Sequence, residues 1–320
     1  VKLYPHQDRT VDLCRSAYRR GSQAVLAVLP TGGGKTALSA WIIRAIVERG
    51  KRAMFSAHRT ELINQTVRTL ARFGLSDVRV IQADRDEGRP DAPVIVGSVD
   101  TLTTDRWIAQ MPRVDLLVID EAHHSVCQSW QRVIKAHPET LLLGLTATPQ
   151  RGDRKGLKDT YDTLVVGATT QELIDLGLLA RPLVIAPKPL KPGQIAQTPL
   201  EAWRQFADGQ RAAIFRARVS DALQDVADFR AAGLRSEVIT AATKNRGEIL
   251  DRFAAGDYDA LSSVGVLTEG WDDQACAVGI VARKPSYDGM WLQICGRVLR
   301  SYPGKTHGKI VDLFGAWHEF

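Results

Sequence analysis

Leu29-Pro30-Thr31-Gly32-Gly33-Gly34-Lys35-Thr36 is the stretch on which the fold is decided. An apolar run over residues 24–29 leads into it, and an amphipathic helical pattern (Leu38, Trp41, Ile42, Ala45, Ile46) follows it. Strand, glycine-rich turn and helix in that order make a phosphate cradle. Glycines let backbone N–H groups turn inward without a Cβ in the way, and the helix adds its positive N-terminal end. In that reading Thr31, Gly32, Gly33 and Gly34 line the loop, Lys35 reaches the β and γ phosphates, and the Thr36 hydroxyl holds Mg²⁺. The strict pattern has Gly at position 29, where this chain has Leu29. An ordinary glycine-rich turn is therefore the alternative that the rest of the chain must decide against.

Working outward, the apolar run Leu116-Leu117-Val118-Ile119 reads as a buried strand of a parallel sheet and delivers Asp120-Glu121-Ala122-His123-His124 at its C-terminal end. Open α/β sheets bind ligands at that end. Beside a phosphate loop the acidic pair has defined work: Asp120 holds Mg²⁺ and Glu121 orients or deprotonates an attacking water. His123 and His124 are adjacent, with no spaced partner, which does not suit a metal site. His123 reads as a coupling residue and His124 as structural. The next buried run, residues 141–145, ends in Thr146-Ala147-Thr148-Pro149, whose hydroxyls either link the acidic site onward or cap the following segment.

Upstream of the loop, Leu3-Tyr4-Pro5-His6-Gln7 opens a helix. Gln7 reads two ways, as a surface helix start or as a two-pronged partner for N6 and N7 of adenine. Arg59, in Ser56-Ala57-His58-Arg59-Thr60-Glu61-Leu62, sits where a strand passes into a helix. It is either a phosphate contact or a solvated arginine. A further β-rich run, residues 94–99, leads to Thr101.

The chain has 320 residues and a formal charge of +6, and 44% of it is apolar. That length exceeds one ordinary core, so two domains are expected. The mild basic excess suits a polyanionic partner without requiring one. Four scattered cysteines, Cys14, Cys127, Cys276 and Cys295, form no Cys-x-x-Cys pair and point away from zinc or a disulfide framework. No run approaches the length of a membrane span and no signal-peptide pattern opens the chain, so a cytoplasmic protein without membrane contact is expected.

Between residues 152 and 210, Gly, Pro and charged residues break the pattern and mark a domain junction. Alternation of strands and helices resumes at residue 212 and passes Val266-Leu267-Thr268-Glu269-Gly270-Trp271-Asp272. It ends in a helix from Met290 carrying Gln293, Arg297 and Arg300, which share one helical face at i, i+4 and i+7. Two arginines so placed are either a solvated face or, opposite a phosphate loop, cations that neutralise γ-phosphate charge in the transition state.

In order, these motifs resemble the superfamily 2 helicases and translocases of the DEAD/DEAH-box kind, nearest the RadD-like and XPB-like DNA enzymes of bacteria and phage. The resemblance covers nearly the whole chain. It implies two tandem RecA-like α/β domains, residues 1–166 and 169–320, each a mostly parallel sheet flanked by helices. It further implies ATP and Mg²⁺ as cofactors, with Gln7 on adenine. Lys35, Thr36, Asp120, Glu121, Gly270, Asp272, Gln293, Arg297 and Arg300 would form the nucleotide site, and Arg59, Thr101 and Thr268 would touch the nucleic-acid backbone. The Thr-Ala-Thr segment and the Gln-x-x-Gly-Arg-x-x-Arg form of the last motif favour DNA over RNA. The expected motif near residues 213–218 is poorly formed, and no accessory domain is expected after residues 315–320. A monomer is expected, with protein partners supplying accessory domains. The rival from another class is a nucleic-acid clamp or remodelling subunit in which ATP switches affinity and no duplex is opened.

Overall fold

A computed structural model describes residues 2–149, 157–188, 194–268, 271, 273–315 and 317. The chain divides into two compact units, Val1–Thr169 and Thr170–Phe320. No helix among the described residues is long and apolar enough to cross a membrane.

The first unit is built on eight strands: β1 (Ala24–Val28), β2 (Ala53–Ala57), β3 (Val78–Gln82), β4 (Arg85–Glu87), β5 (Val94–Ser98), β6 (Leu116–Ile119), β7 (Leu141–Thr146) and β8 (Thr163–Val166). Their order across the sheet is β4-β3-β5-β2-β6-β7-β1-β8. Every pairing is parallel except that of β3 with the edge strand β4. Successive residues of a strand point to opposite faces, and here both faces are covered. Val25, Ala27, Ala53, Phe55, Leu116 and Val118 pack on one side with the helices Pro5–Arg19, Lys35–Val47 and Thr60–Arg72. Leu26, Met54, Leu117 and Ile119 pack on the other, against Leu102, Trp107, Trp130 and Val133. This is why the strands read as continuous apolar runs rather than as alternating ones. Burial of each large side chain such as Phe55 contributes about 1.5–3 kcal/mol.

The second unit is a six-stranded sheet of β9 (Arg181–Ile185), β10 (Ala212–Arg216), β11 (Ser236–Ile239), β12 (Ala260–Val264), β13 (Val278–Val281) and β14 (His307–Asp312), in the order β11-β12-β10-β13-β14-β9. All its pairings are parallel. A charged pair lies inside it. Arg216, in the poorly formed motif, donates through Nε to Asp225 at 2.9 Å and through Nη2 at 2.6 Å, and Ser262 Oγ donates to the same carboxylate at 2.8 Å.

One expectation needs correcting. The helix that carries Gln293 and Arg297 runs Asp288–Val298 and stops short of Arg300. Ala180 N–H donates to the Leu299 carbonyl at 2.6 Å, and Arg300 pairs with Leu179 in an antiparallel bridge. Extended pairing has taken the residues that a continuing helix would have used.

Candidate nucleotide and nucleic-acid site

Because the first sheet is parallel, the segments that follow its strands emerge along one edge. Crossing from β5 to β1, that edge presents Thr101 after β5, Arg59 after β2, Asp120 and Glu121 after β6, Thr146 at the end of β7, and the glycine-rich loop after β1. Residues scattered over more than a hundred positions are thereby gathered onto neighbouring strand ends. Such ends are where α/β sheets take ligands.

The loop needs its glycines for conformation. Gly32 (φ 89°) and Gly34 (φ 76°) occupy the left-handed region, and Gly33 N–H closes a turn on the Pro30 carbonyl at 2.9 Å. A Cβ on Gly34 would lie 2.2 Å from Gln7 Nε2, because Gln7 reaches into the loop and donates to the Gly33 and Gly34 carbonyls, each at 3.3 Å. Gln7 Oε1 accepts from Tyr4 N–H at 2.9 Å. His6 Nε2 donates to the Gly33 carbonyl at 3.0 Å, a contact for which the sequence carried no signal. The side chain of Leu29 is fully buried in the core, while its carbonyl accepts from Lys35 Nζ at 3.4 Å. Gly167 packs closely here, since a Cβ on it would lie 2.3 Å from Thr10 Oγ1 and 3.0 Å from Leu29 Cγ.

At the tip of β6, Asp120 and Glu121 are both buried. Asp120 Oδ1 accepts from Glu121 N–H at 3.0 Å. Glu121 itself is held at φ 48°, ψ 52°, a strained left-handed conformation for a residue with a side chain. Burial, followed by the Glu121 carboxylate, pushes the Asp120 carboxyl up to about 6; Lys35, the Glu121 N–H and His58 partly offset this. Two buried carboxylates side by side, with one lysine near, suit a divalent cation. Asp120 with the Thr36 hydroxyl at the first helical turn is the pair that would hold Mg²⁺.

His123 joins this acidic pair to β7: its Nδ1 lies 3.5 Å from Glu121 Oε2 and 3.3 Å from Thr146 Oγ1. Thr146 Oγ1 also donates to the Thr148 carbonyl at 2.8 Å. His124 rests on the His123 ring with centroids 4.1 Å apart, and meets the His58 ring edge-on at 5.2 Å. Arg59 precedes the helix Thr60–Arg72 as its N-cap, and its Nε donates to His58 Nε2 at 3.1 Å. Thr101 Oγ1 accepts from Ala83 N–H at 2.7 Å.

In the second unit Gln293 and Arg297 are buried. Arg297 Nε donates to the Thr268 carbonyl at 3.2 Å and its Nη1 to the Trp271 carbonyl at 2.8 Å, and Arg300 Nη1 shares that second acceptor at 3.2 Å. The two arginines and Thr268 thus come together, although Arg300 is not on the helix. Thr268 Oγ1 donates to the Gly265 carbonyl at 3.4 Å. Gly270 and Asp272 lie outside the described residues.

Residues 1–151 match the family described as the type III restriction enzyme res subunit. IRC3 of Saccharomyces cerevisiae, which is named as an ATP-dependent helicase, is 25% identical over 98% of this chain. By these likenesses the chain resembles the superfamily 2 helicases. Its span is about half of that relative, 52% of whose length is covered. Solved structures of helicases and restriction enzymes share the fold of two RecA-like units. A fragment of an HsdR-type subunit of a type I restriction enzyme from Vibrio vulnificus superposes with a TM-score of 0.78 at 19% identity, covering 98% of this chain and 64% of that one. Saccharomyces cerevisiae Dbp5, bound to RNA and ADP BeF3, gives 0.74 at 19% identity, covering 97% and 83%.

Proposed function

We propose that this chain is a superfamily 2 enzyme that hydrolyses ATP to move along a nucleic-acid strand, with DNA as the preferred substrate. The adjacency of β6, β7 and β1 carries the reading, because it sets the acidic pair, the threonine relay and the phosphate loop side by side on one sheet edge. Gly32 to Lys35 bind the phosphates and Gln7 senses the adenine. Glu121 accepts the proton of the attacking water from a position fixed by its strained backbone and by His123. Asp120 and Thr36 hold Mg²⁺, which when bound neutralises phosphate charge. Gln293, Arg297 and Arg300 act on the same nucleotide from the second unit. An arginine so used is worth on the order of 10³–10⁵ in rate.

Arg59, Thr101 and Thr268 contact the strand through its backbone, so binding is weakly sequence-selective and falls with salt. The restriction-enzyme family match over residues 1–151 favours DNA. The test is the ATPase rate with no nucleic acid, single-stranded DNA, duplex DNA and RNA, alongside a strand-displacement assay. Turnover raised by DNA and abolished in Lys35→Ala is expected. Turnover indifferent to every nucleic acid, or surviving in Lys35→Ala, overturns the reading. DNA-stimulated turnover in a chain that binds DNA but never moves on it points to the ATP-switched clamp.

A further inference from the structure

Three imidazoles connect the strand-contacting edge of the first unit to the carboxylate that handles water, and no motif reading accounts for the middle of that connection. The path begins at Arg59, whose Nε donates to His58 Nε2 at 3.1 Å. The His58 ring meets His124 edge-on at 5.2 Å and 65°, and His124 lies over His123 at 4.1 Å and 44°. His123 Nδ1 is 3.5 Å from Glu121 Oε2 and 3.3 Å from Thr146 Oγ1. His58 follows β2, while His123 and His124 follow β6, and these strands are sheet neighbours. The stack is therefore a side-chain bridge between the segments that follow two neighbouring strands.

We propose that His58 and His124 are positioning residues that transmit nucleic-acid engagement at Arg59 to Glu121. This rests on the reading of the chain as a nucleic-acid-stimulated ATPase. The physical step is an exchange of acceptors. A phosphate oxygen makes a charge-assisted bond with a guanidinium, stronger than the bond to a neutral imidazole nitrogen. A strand that takes Arg59 removes the Nε bond from the His58 ring. Close-packed rings transmit such a change as a shift of the next ring, because the space beside them is filled. His124 passes it to His123, which sits against Glu121 and Thr146. Misplacement of a reacting group by about 1 Å costs on the order of 10² in rate, so a sub-ångström correction at Glu121 suffices for stimulation. The coupling needs shape and one acceptor; it needs no change of protonation.

Those two requirements separate under substitution. ATPase rate is measured against single-stranded DNA concentration for wild type, His124→Ala, His124→Phe, His58→Ala and His58→Phe, with thermal melts on each. Both alanine variants are expected to lose at least tenfold of the DNA stimulation at saturation, while the DNA concentration giving half-maximal effect moves less than twofold. His124→Phe, which keeps a ring in the stack, is expected to recover stimulation to within about threefold of wild type. His58→Phe keeps the ring but removes the acceptor for Arg59, and is expected to stay as low as His58→Ala. Should an alanine variant fail to fold, the contrast between the two phenylalanine variants decides. Full stimulation in His124→Ala or His58→Phe overturns the relay, as does a defect confined to the half-maximal DNA concentration. If wild-type turnover ignores DNA altogether, the underlying functional reading fails instead.

Discussion

Asp120 is held at a cost in the folded chain. Its carboxyl is pushed up to about 6, first by burial and second by Glu121. A raised pKa means that the folded chain binds a proton more tightly than the unfolded one, whose carboxyl titrates near 3.8. The cost is therefore full above about pH 6, shrinks as pH falls through the interval, and is gone below the unfolded value. Asp120→Asn removes the charge while keeping the shape. Without metal and nucleotide, in EDTA at pH 8, it is expected to stabilise the first unit by about 1–3 kcal/mol. A Tm rise of roughly 2–12 °C follows for a unit of this size. At pH 5 the gain is expected to be smaller by about half, and ATPase activity is expected to be lost at every pH. A lowered Tm, or a gain that does not fade in acid, would show that the buried pair is not under charge strain. The acidic pair was legible in sequence because an apolar run ends in it. The His6 contact with Gly33 was not, because it depends on where one helix settles against a loop more than twenty residues away.

Among the elements, β7 carries a glycine where a neighbour needs the room. A Cβ on Gly144 would lie 2.5 Å from the Tyr161 ring, and Tyr161 is buried in one cluster with Leu117 of the sheet and Trp130. Gly144→Ala forces either the ring or the strand to move. The expected cost is about 1–3 kcal/mol, read as a lower denaturation midpoint with unchanged m-value. Pairing Gly144→Ala with Tyr161→Leu, which empties part of the space, is expected to recover some of the loss; additive losses would place the strain elsewhere. Strands such as β6 were readable because four apolar residues in a row have no other use in a chain of this composition. β14 was not, since His307, Gly308 and Lys309 break the apolar pattern before Ile310 and Val311 restore it. β8 is short and half exposed, and earns its place by pairing along β1. The overshoot of the last helix has the same origin. Counting i, i+4 and i+7 from Gln293 follows a helical period, but a period holds no record of Leu179 and Ala180, which claim Leu299 and Arg300 from elsewhere in the chain.

At the scale of the whole molecule, the groups proposed for turnover fall on both sides of the division at Thr169 and Thr170. Lys35, Thr36, Asp120 and Glu121 precede it; Gln293, Arg297 and Arg300 follow it. Each set is organised within its own unit, the second through the carbonyls of Thr268 and Trp271. A phosphate accepts from a guanidinium more strongly than a neutral carbonyl does. If one chain serves one nucleotide with both sets, Lys35→Ala and Arg297→Ala are each inactive, and an equimolar mixture of the two stays inactive at any protein concentration. If instead the second set of one copy serves the loop of another, the mixture pairs an intact loop with intact arginines, and DNA-stimulated turnover returns in proportion to the mixed assemblies formed. Arg297→Ala alone is expected to lower kcat on the order of 10³-fold with a smaller change in KM for ATP, because the charge it meets develops in the transition state. A variant whose KM rises while kcat holds would make Arg297 a ground-state ligand. A mixture that recovers activity would move the motor from the single chain to a pair of chains.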